Sequence, residues 1–313
     1  EPYEKNTSIH DPTAGSGGML IQVAEHLQKV QQVDEEHWRS IRFTGQEIND
    51  TVYAMAQMNL AIHDVNGEIR KGDSLGNPQF TTDDNQLETH DYVLANFPFS
   101  ARWPKDDLED DPFHRFDGVD KLPRKDRGDY AFILHMAKQL NETGQAAIVI
   151  PHGVLFRKHE SVFREHLINQ DLIEGVIGLP ENLFQNNSIP AAILVLNAEK
   201  PEDREDEIQF IHAADEEFYK ELSNQNELLD ESIPEIADLF NQWETVERKS
   251  RTVNIEEIQE NDYNLNIALY VDTTEPEEDI DVAEELKTLR DLQEERDRIE
   301  ERLTKHMREL DYE

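Results

Sequence analysis

The sequence predicts an α/β fold: a doubly wound, mostly parallel sheet of seven strands, followed by a C-terminal helical extension. Short Val- and Ile-rich segments alternate with segments whose apolar residues recur at helical spacing, which is typical of a parallel sheet covered by helices. A glycine-rich turn joins the first predicted strand to the first helix at residues 12–18. Polar residues follow the ends of several strands, where doubly wound sheets bind ligands.

The first element is a short strand that runs into Asp11-Pro-Thr-Ala-Gly-Ser-Gly-Gly18 and then into a helix. Glycine tolerates positive φ and has no Cβ, so backbone N–H groups can approach a ligand closely. Asp11 is expected to face this crevice, where it suits a cationic or hydroxyl-bearing ligand. No Gly-Lys-Ser/Thr follows, which excludes a P-loop and favours a nucleoside-type ligand. The candidate ligand-binding residues are Asp11, Thr13, Gly15, Ser16, Gly17 and Gly18.

Two further carboxylates end the next two predicted strands. Residues 41–47 alternate apolar and polar side chains and end at Glu47, just before a helix-capping pair at residues 49–50. A carboxylate at this place can accept hydrogen bonds from both ribose hydroxyls, although taken alone it would be an ordinary surface glutamate. Residues 68–75 predict a third strand that ends in Asp73. The carboxylate of this residue can accept a hydrogen bond from an adenine amino group. Taken alone, Gly-Asp-Ser is more often a turn.

The apolar run at residues 92–95 predicts a buried parallel strand, and Asn96, Phe97, Pro98 and Phe99 follow at its carboxyl end. The side-chain carbonyl of Asn96 and a main-chain carbonyl can both accept hydrogen bonds from an exocyclic amine. The ring of Phe99 offers a face on which a planar ligand can stack. A lone Asn-x-Pro-Phe is more often a strand-ending turn with core phenylalanines. Its place after the glycine loop and the two carboxylates favours the functional interpretation.

The later part of the chain predicts three more strands, a domain boundary and a long helix. Residues 144–151, 172–179 and 191–197 are Val- and Ile-rich, and the last two are expected to form an antiparallel edge pair. Composition becomes charged at residue 201, so the predicted domains are 1–200, a peripheral mixed region at 201–275, and a helical segment at 276–313. Arg296 and His306 interrupt the apolar seam of that helix, which favours a partner helix, although a helix packed on its own domain is equally compatible. The seam consists of Leu289, Leu292, Ile299, Leu303 and Leu310.

The charge is strongly acidic: 30 Lys and Arg stand against 69 Asp and Glu, for a net charge of −39, and there is no cysteine. The acids are dispersed, as expected for a protein in a salt-loaded cytoplasm, where screening acts over about 3 Å at 1 M salt. We therefore expect a halophilic source. The absence of cysteine, of a secretory signal and of a membrane-length apolar run predicts a cytoplasmic protein without membrane contact.

This charge argues against simple electrostatic binding of DNA. The densest basic stretch lies between Arg102 and Arg127, where a DNA-facing loop and a solvated surface loop are equally compatible with the sequence. His114, His135 and His152 have no partners at metal-ligand spacing, so no metal site is predicted.

The order and spacing of these motifs resemble the modification subunit of type I restriction-modification systems, which are S-adenosylmethionine-dependent adenine-N6 DNA methyltransferases. The resemblance covers nearly two-thirds of the chain, to about Asn197. Phe97 replaces the first proline of the family's Asn-Pro-Pro-Phe, and the family's N-terminal helical region is expected to be missing, as in a truncated fragment. The matching segments are residues 11–18, 45–47, 59–63, 72–75, 96–99, 129–133, 148–157, 183–184 and 189–195.

The resemblance implies S-adenosylmethionine as cofactor and double-stranded DNA with a flipped adenine as substrate. It implies that the glycine-loop residues, Glu47 and Asp73 bind the cofactor, and that Asn96 to Phe99 act on the base, with the Phe97 main-chain carbonyl as an acceptor. It further implies a specificity subunit docked on the C-terminal helix and a restriction (nuclease) subunit as another partner. Two alternatives stay open: methylation of a protein glutamine amide, and a catalytically silent assembly subunit.

We expect this chain to unfold in dilute buffer and to be stable in molar KCl, because counterions screen the self-repulsion of its acidic surface. Thermal unfolding followed by circular dichroism across KCl concentrations measures this directly. Full stability without added salt would contradict the halophilic interpretation.

Overall fold

A computed structural model of the chain describes residues 6–29, 33–108, 110–184, 189–273 and 282–309. The chain divides into two compact units, Glu1–Thr273 and Thr274–Glu313. In the described residues, no helix is both long and apolar enough to cross a membrane. The strands of the first unit are β1 (Ser8–Asp11), β2 (Arg42–Glu47), β3 (Gly67–Lys71), β4 (His90–Asn96), β5 (Leu140–Pro151), β6 (Ile173–Gly178), β7 (Ala191–Asn197), β8 (Glu207–His212), β9 (Tyr219–Glu221), β10 (Asn226–Leu228) and β11 (Ser250–Asn254).

The first unit contains eight described α-helices, and one long helix lies in the second unit. The described helices of the first unit are α1 (Gly18–Lys29), α2 (Glu35–Ser40), α3 (Asp50–Ile62), α4 (Asp129–Lys138), α5 (Gly153–Phe156), α6 (Ser161–Asn169), α7 (Ser232–Gln242) and α8 (Ile255–Glu260). The second unit contains α9 (Val282–Glu309).

Nine of the described strands form one sheet in the order β11-β8-β6-β7-β5-β4-β1-β2-β3, while β9 and β10 pair separately. The pairs on both sides of β1 are parallel, as are β2 with β3 and β4 with β5. The strand order therefore reverses direction between β1 and β4, which is the switch point where such sheets bind ligands. The predicted doubly wound, mostly parallel α/β fold is confirmed.

The sheet differs from the sequence prediction in size. The predicted antiparallel pair of β6 and β7 forms, but it lies inside the sheet instead of at its edge. Strand β8 pairs in parallel with β6, and β11 pairs antiparallel with β8, so the sheet has nine strands where seven were predicted. All six residues of β6 are buried, and a buried strand needs a partner for its remaining backbone edge. Two strands from residues 201–275 therefore extend the main sheet.

The core has a separate cluster beside each half of the sheet near the switch point. Ile9 and Phe43 pack with α1 and α3, whereas Val93 and Ile148 pack with α4. This packing holds the carboxyl ends of the central strands in fixed positions, because close-packed side chains leave little room for relative movement.

Helix α9 lies within the predicted C-terminal helical segment at residues 276–313. Its apolar seam is solvent-exposed in the second unit: Leu289, Leu292, Ile299 and Leu303 are each more than half exposed. Leu310, the last residue of the predicted seam, lies outside the described residues.

Three histidines are buried in the first unit. The rings of His10 and His90 stack with centroids 4.3 Å apart, and Nδ1 of His10 lies 2.9 Å from Oγ1 of Thr44. Burial lowers the pKa of His10 and of His135 well below the usual value near 6.5, and it lowers the pKa of His90 to about 4. Each of these folded histidines binds fewer protons than its unfolded counterpart below pH 6.5.

We expect His90→Phe to flatten the pH dependence of stability. With a folded pKa near 4 and an unfolded pKa near 6.5, the contribution of His90 is fully present above pH 6.5 and is lost as pH falls. The wild type should lose about 2 kcal/mol more than the variant in free energy of unfolding between pH 7 and pH 5. Urea unfolding in molar KCl measures how the free energy of unfolding of the wild type and of the variant changes with pH. Equal pH dependence in the two proteins would contradict the lowered pKa of His90.

Candidate active site

An open cleft of about 860 Å³ lies at the carboxyl ends of the central strands. Glu47 is the last residue of β2 and Asn96 is the last residue of β4, so parallel pairing to β1 brings both to the same edge. Predicted site residues from four separate segments share this cleft. Those that line it are Thr13, Gly15, Glu47, Asp73, Asn96, Phe97, Pro98 and Phe99.

The glycine loop has the positive φ angles that its sequence predicts. Gly15 has φ +54° and Gly17 has φ +81°, a region that favours glycine. A Cβ on Gly17 would lie 3.7 Å from the backbone of Ala56, an ordinary contact distance, so the positive φ and not the available space favours glycine here. Asn59 of α3 donates its side-chain N–H to the carbonyl of Ser16 at 2.9 Å. Ser16, Gly17 and Gly18 are not among the described cleft-lining residues, and they instead connect the loop to the helices.

Glu47 closes the loop from the neighbouring strand. Its Oε2 accepts the N–H of Gly15 at 3.1 Å, and its Oε1 accepts the N–H of Asn49 at 2.7 Å. A carboxylate has about four acceptor sites, so each oxygen keeps acceptor capacity toward the cleft. The side chain can therefore hold the loop and also accept from a ligand hydroxyl.

Asp11 is buried and is not among the described residues that line the cleft, so its predicted contact with a ligand stays a prediction. Its Oδ1 accepts the N–H of Thr13 at 2.9 Å. Burial raises the pKa of Asp11 to about 7, and the hydrogen bonds from Thr13 oppose this rise. The residue supports the loop through this bond, since Asp11 is the last residue of β1 and the loop follows it directly in the chain.

Asp73 lies in a turn and also lines the cleft, so its position agrees with both interpretations of the Gly-Asp-Ser motif. Its Oδ1 accepts the N–H of Leu75 at 3.0 Å, and its carbonyl accepts the N–H of Asn77 at 2.7 Å. Gln46, which was not a predicted site residue, holds this turn. Its side chain donates a hydrogen bond to the carbonyl of Asn77 and accepts one from the N–H of Gln79. A glutamine within the predicted strand at residues 41–47 was the sequence signal that could have indicated this role.

Residues 96–99 separate into exposed and buried members. Asn96 and Pro98 are exposed, whereas the Phe97 side chain is 2% exposed. The Phe97 ring stacks on Phe132 of α4, with centroids 5.1 Å apart and planes at 13°, and meets Phe99 edge-on at 5.8 Å. Aromatic packing thus anchors this strand end at the position where the resemblance implies the first proline of Asn-Pro-Pro-Phe.

An apolar wall completes the cleft, and its residues were not among the predicted site residues. The ring of Phe184 meets Phe99 edge-on at 6.5 Å, and Ile189 also lines the cleft. Ile189 is 48% exposed. An exposed isoleucine next to an aromatic face suits a planar, partly apolar ligand such as a nucleobase.

Three basic residues of the stretch between residues 102 and 127 form ion pairs with nearby aspartates. Arg115 is buried and pairs with Asp111 at 2.7 Å, so it holds the loop together. Arg124 and Lys125 form surface ion pairs with Asp126 and Asp106, respectively. Arg102 is the member of this stretch among the described residues that line the cleft. The described part of the chain contains no group of three or more His, Asp or Glu arranged to hold a metal ion.

The chain is similar to known proteins. The family model described as N-6 DNA Methylase matches residues 2–279. The type I restriction enzyme MjaVII methylase subunit from Methanocaldococcus jannaschii is 35% identical over 307 residues, which cover 93% of this chain and 50% of the relative. The chain spans about half the length of the first three curated relatives that it matches.

Solved structures agree with this relationship. The crystal structure of a type I restriction-modification methyltransferase subunit from Streptococcus thermophilus has a TM-score of 0.77 and 34% identity, covering 87% of this chain and 56% of that one. A putative class I S-adenosylmethionine-dependent methyltransferase from Listeria monocytogenes shares the fold, with a TM-score of 0.56 and 19% identity over 77% of this chain and 66% of that one. From residues 2 to 279, this chain belongs to the N-6 DNA methylase family.

Proposed function

We propose that this chain forms the catalytic part of a modification subunit of a type I restriction-modification complex, which transfers a methyl group to adenine N6 in DNA. The observation that carries the proposal is the convergence of the glycine loop, Glu47, Asp73 and Asn96–Phe99 on one cleft. Membership of the N-6 DNA methylase family supports the same reaction.

The proposed cofactor is S-adenosylmethionine, which supplies an electrophilic methyl group on a sulfonium when bound. The residues present fit it: Glu47 retains acceptor capacity for the ribose hydroxyls, and Asp73 lies in the same cleft as an acceptor for the adenine amino group. The loop around Gly15 brings backbone close to the ligand without side-chain obstruction. Asp11 would act by supporting the loop through its bond to the N–H of Thr13.

The substrate base would be bound by Asn96, the Phe97 carbonyl and Phe99. Flipping an adenine out of the duplex costs a few kcal/mol, and stacking on an aromatic ring returns about 1–3 kcal/mol. Oδ1 of Asn96 and the Phe97 carbonyl would each accept one N6 hydrogen, which aligns the nitrogen lone pair with the methyl carbon. The N6–carbon bond forms as the sulfur–carbon bond breaks, and N6 loses one proton to water. Catalysis is therefore orientation with electrostatic support.

The partners follow from the second unit and from the family. The half-exposed seam of Leu289, Leu292, Ile299 and Leu303 on α9 supports docking of a specificity subunit helix. That subunit would choose the DNA sequence, and a nuclease subunit would join the same complex. The dispersed acidic surface supports a salt-rich cytoplasm as the working environment.

We expect Glu47→Ala to weaken S-adenosylmethionine binding about 100-fold, because two hydrogen bonds to a charged acceptor are lost. Calorimetry in molar KCl compares the parent chain with this variant. Glu88→Ala is the matched control, since Glu88 pairs with Arg42 at the other end of β2. Unchanged affinity in Glu47→Ala would contradict the ribose role. A folded parent chain that does not bind the cofactor would favour a site completed by residues beyond this sequence, or an assembly subunit.

We expect Asn96→Ala to slow methyl transfer by the assembled complex at least about 100-fold while leaving cofactor affinity unchanged, because Asn96 acts on the base. Incorporation of labelled methyl groups into unmethylated DNA measures the rate. Asn261→Ala removes an exposed asparagine side chain that donates to the carbonyl of Glu257 and is not among the described residues that line the cleft, and it serves as the control. Full rate in Asn96→Ala would eliminate the catalytic assignment. Cofactor binding without methyl transfer by the wild type would favour the assembly subunit.

A further inference from the structure

The backbone directly after Asn96–Phe99 makes a sharp turn in an unfavourable conformation. Ser100 has φ +53°, a region that non-glycine residues rarely adopt. The N–H of Ala101 donates to the carbonyl of Pro98 at 3.3 Å, which closes the turn. Such a conformation persists only where surrounding contacts fix it.

The start of α4 supplies these contacts. Asp129, the first residue of α4, has a fully buried side chain whose Oδ1 accepts the N–H of Ser100 at 2.5 Å. The N–H of Gly128 donates to the carbonyl of Ala101 at 2.8 Å. The start of α4 therefore holds the turn through two consecutive residues: Gly128 donates a hydrogen bond to it, and Asp129 accepts one from it.

Arg157 balances the buried charge of Asp129. Its Nη1 donates to the other carboxylate oxygen, Oδ2, at 2.8 Å, and its side chain is 20% exposed. The guanidinium lies directly over Gly153, where an added Cβ would stand 2.5 Å from Nη2 of Arg157. Glycine at position 153 thus leaves the space that the guanidinium occupies.

We propose that Asp129 and Arg157 are positioning residues for methyl transfer. They fix the turn at residues 98–101, and through it the Phe97 carbonyl and the Phe99 ring relative to Asn96. Neither Asp129 nor Arg157 is among the described residues that line the cleft, so both act through the turn. The catalytic meaning of this inference rests on the proposed function, whereas the control of the turn does not.

The cofactor half of the cleft is held by a different set of bonds. Glu47 bonds to Gly15 and Asn49, and Asp73 bonds to Leu75. The hydrogen bonds of Asp129 and Arg157 in the described structure do not reach these residues. Loss of the Asp129–Arg157 pair should therefore slow methyl transfer and leave cofactor affinity intact.

Four variants separate positioning from general stability. Asp129→Asn keeps an acceptor for Ser100 but can turn an amide N–H toward the guanidinium, and Arg157→Gln removes the cation. Gly153→Ala displaces the guanidinium without changing any charge. Arg157→Lys is the conservative variant, which keeps the positive charge.

The matched control is Arg204→Gln. Arg204 pairs with Glu174 at 3.2 Å, with side-chain exposures of 19% and 3%, close to the 20% and 0% of Arg157 and Asp129. Neither member of this control pair is among the described residues that line the cleft. The control therefore reports the effect of breaking an equally buried pair elsewhere in the fold.

The experiment uses the complete modification complex, with its specificity subunit and plasmid DNA that carries its recognition sequence. In Asp129→Asn, Arg157→Gln and Gly153→Ala we expect kcat to fall about 10–100-fold while the S-adenosylmethionine Kd changes by less than about twofold. Arg157→Lys should recover part of kcat, and Arg204→Gln should keep the wild-type value. Hydrogen exchange followed by mass spectrometry should show faster exchange in peptides that contain Ser100, with no change at residues 13–17.

Unchanged exchange at Ser100 in the three disrupting variants would overturn the proposal. Equal losses of kcat in those variants and in Arg204→Gln would also overturn it, because they would reflect stability alone. A wild-type complex that transfers no methyl group would refute the proposed function, and the exchange measurement would still decide whether Asp129 and Arg157 control the turn.

Discussion

The parallel pairing of β1 with both β2 and β4 is the constraint on which the rest of this site depends. It places the ends of all three strands at one edge of the sheet, and the last residues of these strands are Asp11, Glu47 and Asn96. Because the strand order reverses beside β1, the helices on either side leave a crevice above these ends. Glu47 and Asn96, which are 49 positions apart in the chain, thereby come to share one cleft.

Helix α4 is the second determinant of the site, because it fixes the Asn96–Phe99 segment by two different forces. Asp129 binds the N–H of Ser100 by a charge-assisted hydrogen bond, and Phe132, one turn later, stacks on the buried ring of Phe97. The ring of Phe97 contributes apolar burial where a proline would have restricted φ. Packing and hydrogen bonding from α4 can thus restrict the Asn96–Phe99 segment, although Phe97 does not restrict its own φ as a proline would.

The buried and exposed charges of this acidic protein have different roles. Exposed pairs such as Arg124 with Asp126 are strongly screened in molar salt, so they contribute little to stability. Buried pairs such as Arg115 with Asp111 are screened much less. In a salt-rich environment, buried pairs and core packing are therefore expected to maintain the arrangement of the loops beside the cleft.

The sequence by itself determined the fold class and the cleft residues Glu47, Asp73 and Asn96, because strand ends, glycine turns and apolar periodicity are local features. It did not determine that Asp11 is buried, that β8 and β11 enlarge the sheet, or that Gln46 holds the turn after Asp73. The Ser100–Asp129–Arg157 connection was equally hidden, since its members are 29 and 28 positions apart. Only the tertiary structure decided these features, because they depend on which elements pack together, and local periodicity does not encode contacts between distant segments.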